Sequence, residues 1–378
     1  MYHRHRVTTV IAKAAGIATI GLAAWLLVAS ARNTAQAPGS WDKKAASTYL
    51  DERETWWMNW PKASRGHGTF CVSCHTAVPY AIARPVLRSV LGEQTATVNE
   101  QKLIDSVTMR VRLWKEVEPW YSDEKVGVHK TSESRGTESV LNAFILSNRD
   151  ALLGTLSADT RLAFANMWTS QQQTGYEKGA WLWIQFNNQP WEASDSQYYG
   201  AALAAIAVGI APQDYRSSPE IQPNLNSLRE YLYRNASKQT PLNRVMLLWA
   251  SATLPGTLKQ GDNLPLIEEI FSKQQQDGGW SLTSFIGPWK RRDGTPLETK
   301  SDGFATGLAV YVLGQAGATR ENPQINRGLS WLVNNQDKSN GRWLAYSLNK
   351  KRAPSSDIGP FMNDAATAYA VLALTQAK

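Results

Sequence analysis

The sequence predicts an all-α fold, an α/α toroid (α6/α6 barrel) of six helical hairpins, and two recurring patterns predict it. Helical segments that end in glutamine and glycine, each followed by a tryptophan, recur along the 378 residues. A Ser-Asp or Asn-Asp pair then opens a helix of small and apolar residues, which should be buried because it is apolar nearly all round. One hairpin cannot bury its own apolar face, so neighbours must stack. An open solenoid would use the same hairpins, but a closed ring of six leaves no exposed end faces.

The tryptophan pattern occurs in three copies, which run from Trp168 to Trp181, from Phe271 to Trp280 and from Leu332 to Trp343. Glycine ends a helix by adopting the left-handed conformation. The indole should then cover the helix end, and the glutamine amide should bind carbonyl groups that the helix leaves without partners. The final tryptophan of each copy is therefore predicted to clasp its hairpin.

The helix-opening pairs set the register of the inner helices. Ser194-Asp195, Ser301-Asp302 and Asn363-Asp364 open three of them, and weaker copies of the same period open three more. Inner helices are thus expected to begin near residues 75, 138, 195, 243, 302 and 364. A more polar outer helix should precede each one, at 42–58, 98–117, 157–173, 223–236, 264–276 and 323–337. Segment 281–300 is expected to be a loop at the mouth of the ring, and 353–362 a loop before the last inner helix.

The N-terminus has the pattern of an export signal. Basic residues in 1–6 precede an apolar run over 14–28, and Ala29-Ser30-Ala31 is a small-x-small cleavage site. Residues 1–31 are therefore a signal peptide or, since the apolar run is nearly long enough to span a bilayer, a membrane anchor. Residues 32–40 would be a linker and 41–378 the toroid. Either alternative predicts a periplasmic protein, or one anchored in the membrane and facing the periplasm.

Amino-acid composition and charge indicate a protein with a large core that does not bind nucleic acid. Hydrophobic residues make up 43% of the chain and charged residues 19%, which suffices for a large core. The net charge of +8 comes from scattered lysines and arginines with no basic run interleaved with aromatics, so nucleic acid is not an expected partner. Membrane association through the N-terminal segment is expected instead.

The most specific motif is Cys71-Val72-Ser73-Cys74-His75, a C-x-x-C-H. This spacing predicts one covalent haem c, because two thiols can each add to a vinyl group of one porphyrin while the adjacent histidine binds the iron. A thioredoxin-like redox pair would need a βαβ context, and a zinc site would need a second Cys/His pair. His75 lies at the start of the first inner helix, so the haem should lie at the mouth of the ring.

The second axial ligand of that iron has several candidates. His129 precedes the second inner helix, and His67 lies eight residues before His75 in a Gly-His-Gly context. His129 is slightly preferred as the second metal ligand, and Met58 and Met109 are further candidates. An open sixth position would favour catalysis or gas binding over electron transfer.

The repeats also resemble a known superfamily. Gln-x-x-Gly-Gly-Trp-like segments such as 275–280 are similar to the QW motifs of the squalene–hopene cyclase and terpenoid cyclase/prenyltransferase superfamily, and helix starts such as 301–307 are similar to its inner helices. The resemblance implies an α6/α6 barrel with aromatic side chains lining its cavity, a role for which Tyr198, Tyr199 and Phe304 are candidates. The chain lacks the D-x-D-D motif that supplies the acid in class II cyclases.

Three inner-helix aspartates are the candidate catalytic acids. Asp195, Asp302 and Asp364 occupy equivalent positions, and simple helix capping is the alternative role for each. The sequence therefore predicts an exported monohaem c-type protein that performs electron transfer or haem-linked redox chemistry. Its partner would be an electron-transfer protein or a hydrophobic, isoprenoid-like molecule. The alternatives are a cyclase-like isomerase or lyase that uses one of these aspartates on a polyprenyl substrate, and a lipid- or protein-binding haem sensor.

Overall fold

The computed structural model describes residues 40–376, and within that range the chain is all-helical, with two isolated β-bridges and no extended strand. The predicted signal peptide or anchor (1–31) and all but the last residue of the linker lie outside these residues. None of the helices within 40–376 is long and apolar enough to cross a membrane.

Six inner helices form a closed ring. Each contacts the next, and the last contacts the first. The inner helices are α2 (Ala77–Leu91), α5 (Lys130–Leu153), α7 (Ser196–Ile210), α9 (Pro241–Thr253), α11 (Gly303–Gln315) and α13 (Phe361–Gln376). The outer helices are α1 (Lys43–Asn59), α3 (Val98–Arg112), α6 (Ala158–Thr169), α8 (Gln222–Asn235), α10 (Asn263–Ser272) and α12 (Pro323–Asn334), and a short α4 (Asp123–Val126) precedes α5. The α/α toroid is confirmed.

The predicted helix bounds differ from the observed ones in a consistent way. Five of the six outer helices end earlier than expected, and α1 ends one residue later. In α6, α10 and α12 the clasp glutamines Gln171, Gln274 and Gln336 each lie two residues beyond the helix end instead of inside the helix. Inner helix α5 begins at Lys130 and not near 138. His129, in the left-handed conformation with φ 71°, marks its start.

The tryptophan clasps form as predicted. The indole Nε1 of Trp181, Trp280 and Trp343 donates to the carbonyl of Met167, Ile270 and Leu332, at 2.6, 2.7 and 2.7 Å. Each indole thus satisfies a carbonyl group at the end of its own outer helix. Each clasp glutamine donates to a glycine carbonyl of its own turn and to a carbonyl at the start of the next outer helix, which ties adjacent hairpins together.

The same glutamine contact closes the ring. Gln336 donates through Nε2 to the Asp42 carbonyl at 2.8 Å, and its Oε1 accepts from the Asp42 backbone N–H at 2.7 Å. Asp42 is the N-cap of α1, so the sixth hairpin is bound to the first. A buried ion pair between Arg53 and Asp364 adds a second link, at 2.8 Å.

Candidate functional site

The end of α1, the N-terminal half of α5, the start of α13 and the loops before α2, α5, α7 and α13 surround a cavity of about 280 Å³ at one end of the ring, here called the mouth. The Cys-x-x-Cys-His motif forms part of its wall. Aromatic and aliphatic side chains form most of the remainder, and polar groups lie among them. The aromatic lining is Trp57, Trp60, Trp120, Tyr121, Trp191 and Phe361, and the polar lining includes Thr137, Asn188, Gln189, Glu192, Ser347, Asn349 and Arg352.

The mouth loops are fixed to one another by hydrogen bonds. Asn349 accepts from the Gln189 backbone N–H at 2.9 Å and donates to the Gln189 carbonyl at 2.7 Å. Arg292, in the loop predicted over 281–300, donates to the carbonyl of Phe186 at 2.7 Å. Three loops from separate hairpins therefore form one framework around the cavity.

The Cys71–His75 segment is held by its own turn and by α1. The Trp57 indole donates to the Cys71 carbonyl at 2.7 Å, and the Ser73 hydroxyl accepts from the backbone N–H groups of Thr76 and Ala77 at 3.3 and 3.1 Å. Ser73 therefore supplies acceptors for N–H groups that the first turn of α2 leaves open. This arrangement places both thiols and the imidazole against the cavity.

A chain of hydrogen bonds fixes the tautomer of His75. Thr76 Oγ1 donates to Asp364 Oδ2 at 2.7 Å, so the hydroxyl proton is committed to the carboxylate. His75 Nδ1, which lies 2.7 Å from the same hydroxyl oxygen, must then be the protonated nitrogen. The Nε2 lone pair is left unprotonated. Burial, assisted by the nearby Arg53 charge, lowers the pKa of His75 to about 3, so the imidazole is neutral near pH 7.

Aromatic rings hold the imidazole in place. The Phe361 ring stacks on it with centroids 3.7 Å apart, and Trp57 meets it edge-on at 5.0 Å. Trp191 lies on a further side at 6.5 Å. The ring orientation of His75 is therefore set by packing as well as by the Thr76 hydrogen bond.

Glu192 is the carboxyl group of the cavity wall. Burial raises its pKa, while the Asn188 amide, which donates to Oε2 at 3.0 Å, opposes that shift. A backbone bridge between the same two residues, with the Glu192 N–H donating to the Asn188 carbonyl at 2.8 Å, fixes this turn at the mouth. The cavity thus places a carboxyl group whose pKa is raised together with an imidazole whose pKa is lowered, the separation that distinguishes an acid from a base in an active site.

The two cysteines are free thiols in the structure. Burial raises the pKa of the Cys71 thiol to about 12 and that of Cys74 well above its usual value. Both thiols are therefore protonated near pH 7, which makes them poor nucleophiles.

The predicted catalytic aspartates all lie outside the cavity wall, and each has structural partners. Asp302 caps α11 by accepting from the Ala305 N–H at 2.9 Å. Asp364 binds Arg53 through both carboxylate oxygens. Asp195 accepts from Gln189 Nε2 at 3.0 Å. Their catalytic role stays a prediction, and the contacts observed are those of capping and ion pairing.

The other predicted side chains also lie away from the cavity. Tyr198 and Tyr199 are buried in α7, and the Tyr198 hydroxyl donates to the Leu232 carbonyl at 2.7 Å. Phe304 packs edge-on against Trp191, behind the wall, at 5.5 Å. His67 and His129 are exposed, and neither lines the cavity that contains His75.

The haem c prediction is corrected. Among residues 40–376, no three His, Cys, Asp or Glu side chains are grouped so that they could hold a metal ion. The imidazole of His75 is engaged by Thr76 and stacked on Phe361, and the candidate second ligands lie elsewhere. The electron-transfer function, haem-linked redox chemistry and the haem sensor are withdrawn with the cofactor. The cyclase-like isomerase or lyase is not retained either, because Asp195, Asp302 and Asp364 do not line the cavity.

Comparisons with known proteins are few. No family model matches the chain, and no curated protein matches it, so the squalene cyclase resemblance is not confirmed. Two similar solved structures are titled as glycosidase variants, the second in complex with glucose. They share 12% and 10% sequence identity with this chain. Each alignment spans 88% of this chain and 98% of the other one, with a TM-score of 0.44.

Sequence reasoning found part of the cavity wall and missed another part. Cys71, Cys74 and His75 were singled out, and all three line the cavity. Glu192 and Asn349 were missed. The one signal for Glu192 is its place directly after Trp191 in a loop that precedes an inner helix.

Proposed function

We propose that the mouth cavity binds an uncharged ring-containing organic molecule and transfers protons to and from it, with Glu192 as the acid and His75 Nε2 as the base. The observation that carries the proposal is the meeting of these two groups, with oppositely shifted pKa values, in one aromatic-lined cavity. The protein would do this outside the cytoplasm, as its N-terminal pattern predicts.

The cavity wall is mostly apolar or neutral and polar, with Arg352 as its one lysine or arginine side chain. Six aromatic side chains offer apolar faces, and the amides of Asn188, Gln189 and Asn349 offer donors and acceptors that would orient polar substituents. The imidazole is neutral and burial disfavours ionisation of Glu192, so neither supplies a fixed charge to bind an ion.

The roles of the two groups follow from their hydrogen bonds. A protonated Glu192 would donate its proton to a substrate oxygen. His75 would accept a proton at Nε2, and the Asp364 carboxylate, acting through Thr76, would offset part of the free-energy cost of charging this buried imidazole. Asp364 is thus a positioning residue, and Arg53, which binds both its oxygens, helps to keep it ionised.

Ligand binding and proton transfer are tested separately. We would titrate the full-length protein with phenyl glucosides and cyclic enones and follow quenching of tryptophan fluorescence. Trp191→Ala should weaken binding about tenfold or more, because the loss of one aromatic contact surface removes about 1–2 kcal/mol. Glu192→Gln should preserve binding of any ligand found and abolish turnover, and Glu298→Gln, outside the cavity wall, is the matched control.

Intact-mass analysis gives an independent check. A mass equal to that of the polypeptide, with both thiols open to alkylation after unfolding, agrees with the proposal. A covalent group attached to Cys71 and Cys74 would occupy the cavity and overturn it, as would the failure of every ring compound to quench the fluorescence.

A further inference from the structure

A second surface lies at the other end of the ring, where inner helices end and outer helices begin. We call it the apolar patch, and it consists of four exposed aliphatic side chains. Their exposed fractions are 44% for Val90, 69% for Val98, 61% for Leu152 and 69% for Leu153. Single exposed aliphatic residues are ordinary on soluble proteins, but a group of them marks an interaction surface.

The patch continues into a groove of about 370 Å³ between α2, α3 and α5. Pro85 from α2, Ile104 from α3, and Leu152 and Leu153 from α5 supply apolar wall. Leu152 and Leu153 are consecutive residues in the last turn of a helix, and both are turned outward, where polar side chains would serve equally well for folding. Stability of the toroid therefore gives no reason for this pair of leucines.

Charges of both signs surround the patch, and basic groups are the more numerous. Glu93 is paired with Arg84 at 2.8 Å and Glu100 with Arg88 at 3.2 Å, while Asp42 and Asp105 are exposed. Exposed lysines stand at the starts of the two adjacent outer helices, Lys43 and Lys44 on α1 and Lys102 on α3. An apolar centre with basic residues around it matches the acyl and headgroup layers of an anionic membrane surface.

The position of α1 connects this surface to the N-terminal segment. Lys44 Nζ lies 3.7 Å from Glu93 Oε1, so the start of α1 is beside the end of α2, at the edge of the patch. The 39 residues that precede Ser40 are joined to the toroid at this end. Their sequence contains basic residues in 1–6 and the apolar run over 14–28.

We infer that the apolar patch docks on an anionic lipid bilayer, with Leu152 and Leu153 inserted among the lipids and Lys43, Lys44 and Lys102 near the headgroups. Docking in this way turns the opposite end, with the mouth cavity, away from the membrane. The inference is independent of the ligand and chemistry proposed for that cavity.

The test measures flotation of the full-length protein with phosphatidylcholine vesicles, with and without phosphatidylglycerol. The variant carries Leu152→Asp and Leu153→Asp. The matched control carries Leu182→Asp and Leu344→Asp, at two leucines that are 39% and 44% exposed, directly follow clasp tryptophans and lie outside the groove. Any contribution of the N-terminal segment is common to all three proteins, so it cancels in the comparison.

We expect the patch variant to bind vesicles at least tenfold more weakly, because two inserted apolar side chains are replaced by carboxylates, and the control to bind as the wild type does. Phosphatidylglycerol should strengthen wild-type binding, and added salt should reverse that gain. Equal vesicle binding by all three proteins overturns the inference. So does a change in self-association of the patch variant without a change in vesicle binding, which would make a second copy the occupant.

Loss of folding is a separate cause of weak binding, and a milder variant distinguishes it. Val98→Asn changes one side chain that is 69% exposed and should leave the melting temperature unchanged. It should still weaken vesicle binding several-fold. Unchanged binding by Val98→Asn, together with a lowered melting temperature for the leucine variant, would overturn the assignment.

Discussion

The first two hairpins and the later clasped hairpins (the third, fifth and sixth) solve the same packing problem in different ways. In the clasped hairpins, neutral hydrogen bonds from a tryptophan and a glutamine bind the turn. In hairpins one and two (residues 43–153), arginines and carboxylates are buried instead. In the Arg110–Glu138 pair, both side chains are fully buried. The same architecture is thus held by neutral contacts in one region and by ionic contacts in the other.

The largest expected effect is at the buried pair. Arg110→Met would leave Glu138 buried without its counter-charge, and the free energy of unfolding should fall by about 3–5 kcal/mol. Urea denaturation would measure it. The exposed pair Arg112–Asp159 is the control, because Arg112→Met should cost less than about 1 kcal/mol. Comparable losses for the two variants would contradict the ionic role assigned to the first hairpins.

A double variant sharpens the same comparison. Arg110→Met combined with Glu138→Met removes both charges, so most of the lost stability should return. If the double variant is as unstable as Arg110→Met alone, the pair contributes specific geometry beyond the removal of an unpaired charge.

Glu54 carries the strongest pH dependence that we expect. It is fully buried on α1, neither carboxyl oxygen has a hydrogen-bond partner among the described residues, and burial raises its pKa to about 8. The pKa of Glu54 is therefore higher in the folded protein than in the unfolded chain, where the carboxyl ionises first. The contribution of Glu54 to stability is complete below pH 4.5 and is lost as the pH rises to about 8. Glu54→Gln should therefore stabilise the protein at pH 8 by several kcal/mol, roughly 1.4 for each pKa unit, and have little effect near pH 4.

Thermal or urea unfolding at a series of pH values would test this. Asp302, whose pKa burial raises to about 7, gives a slope of the same sign, so Glu54→Gln should reduce the pH dependence without removing it. A wild-type stability that stays constant between pH 5 and 8 would contradict the assignment for both carboxyls.

A smaller effect is expected at a clasp. Trp280→Phe keeps an aromatic ring but leaves the buried Ile270 carbonyl without its donor, and this should cost about 1–3 kcal/mol. The loss should be the same at pH 5 and pH 8, because no titratable group takes part. A loss that varies with pH would remove the distinction between the two regions.

The clasped hairpins could be predicted from the sequence more completely than the buried ion pairs of the first two hairpins. Clasps and inner-helix starts depend on residues that are close in the sequence. Helices α7, α11 and α13 begin within three residues of the predicted starts, because an aspartate followed by small residues is a local pattern. Buried ion pairs such as Arg110–Glu138 join separate helices, so no local pattern identifies them.

The site was predicted less completely, for the same physical reason. The motif at 71–75 marked one part of the wall, but the hydrogen bond between Gln189 and Asn349 joins residues 160 positions apart and exists only in the closed ring. Glu192 and His75 line one cavity, whose wall depends on the loops of three hairpins. A five-residue motif also did not reveal that Thr76 and Phe361 would contact the imidazole, or that Asp364 would bind the Thr76 hydroxyl.

The contact between Gln336 and Asp42 joins residues 294 positions apart, and this has a consequence for how the molecule is made. The first outer helix emerges from the ribosome long before the last hairpin that completes its N-terminal contacts. Until then, the exposed side of the first hairpin has no neighbour, and a chain of high contact order folds slowly. Removal of the sixth hairpin should therefore impair the beginning of the chain as severely as its end, and proteolysis of such a truncated protein should start at α1 as well as at the new C-terminus.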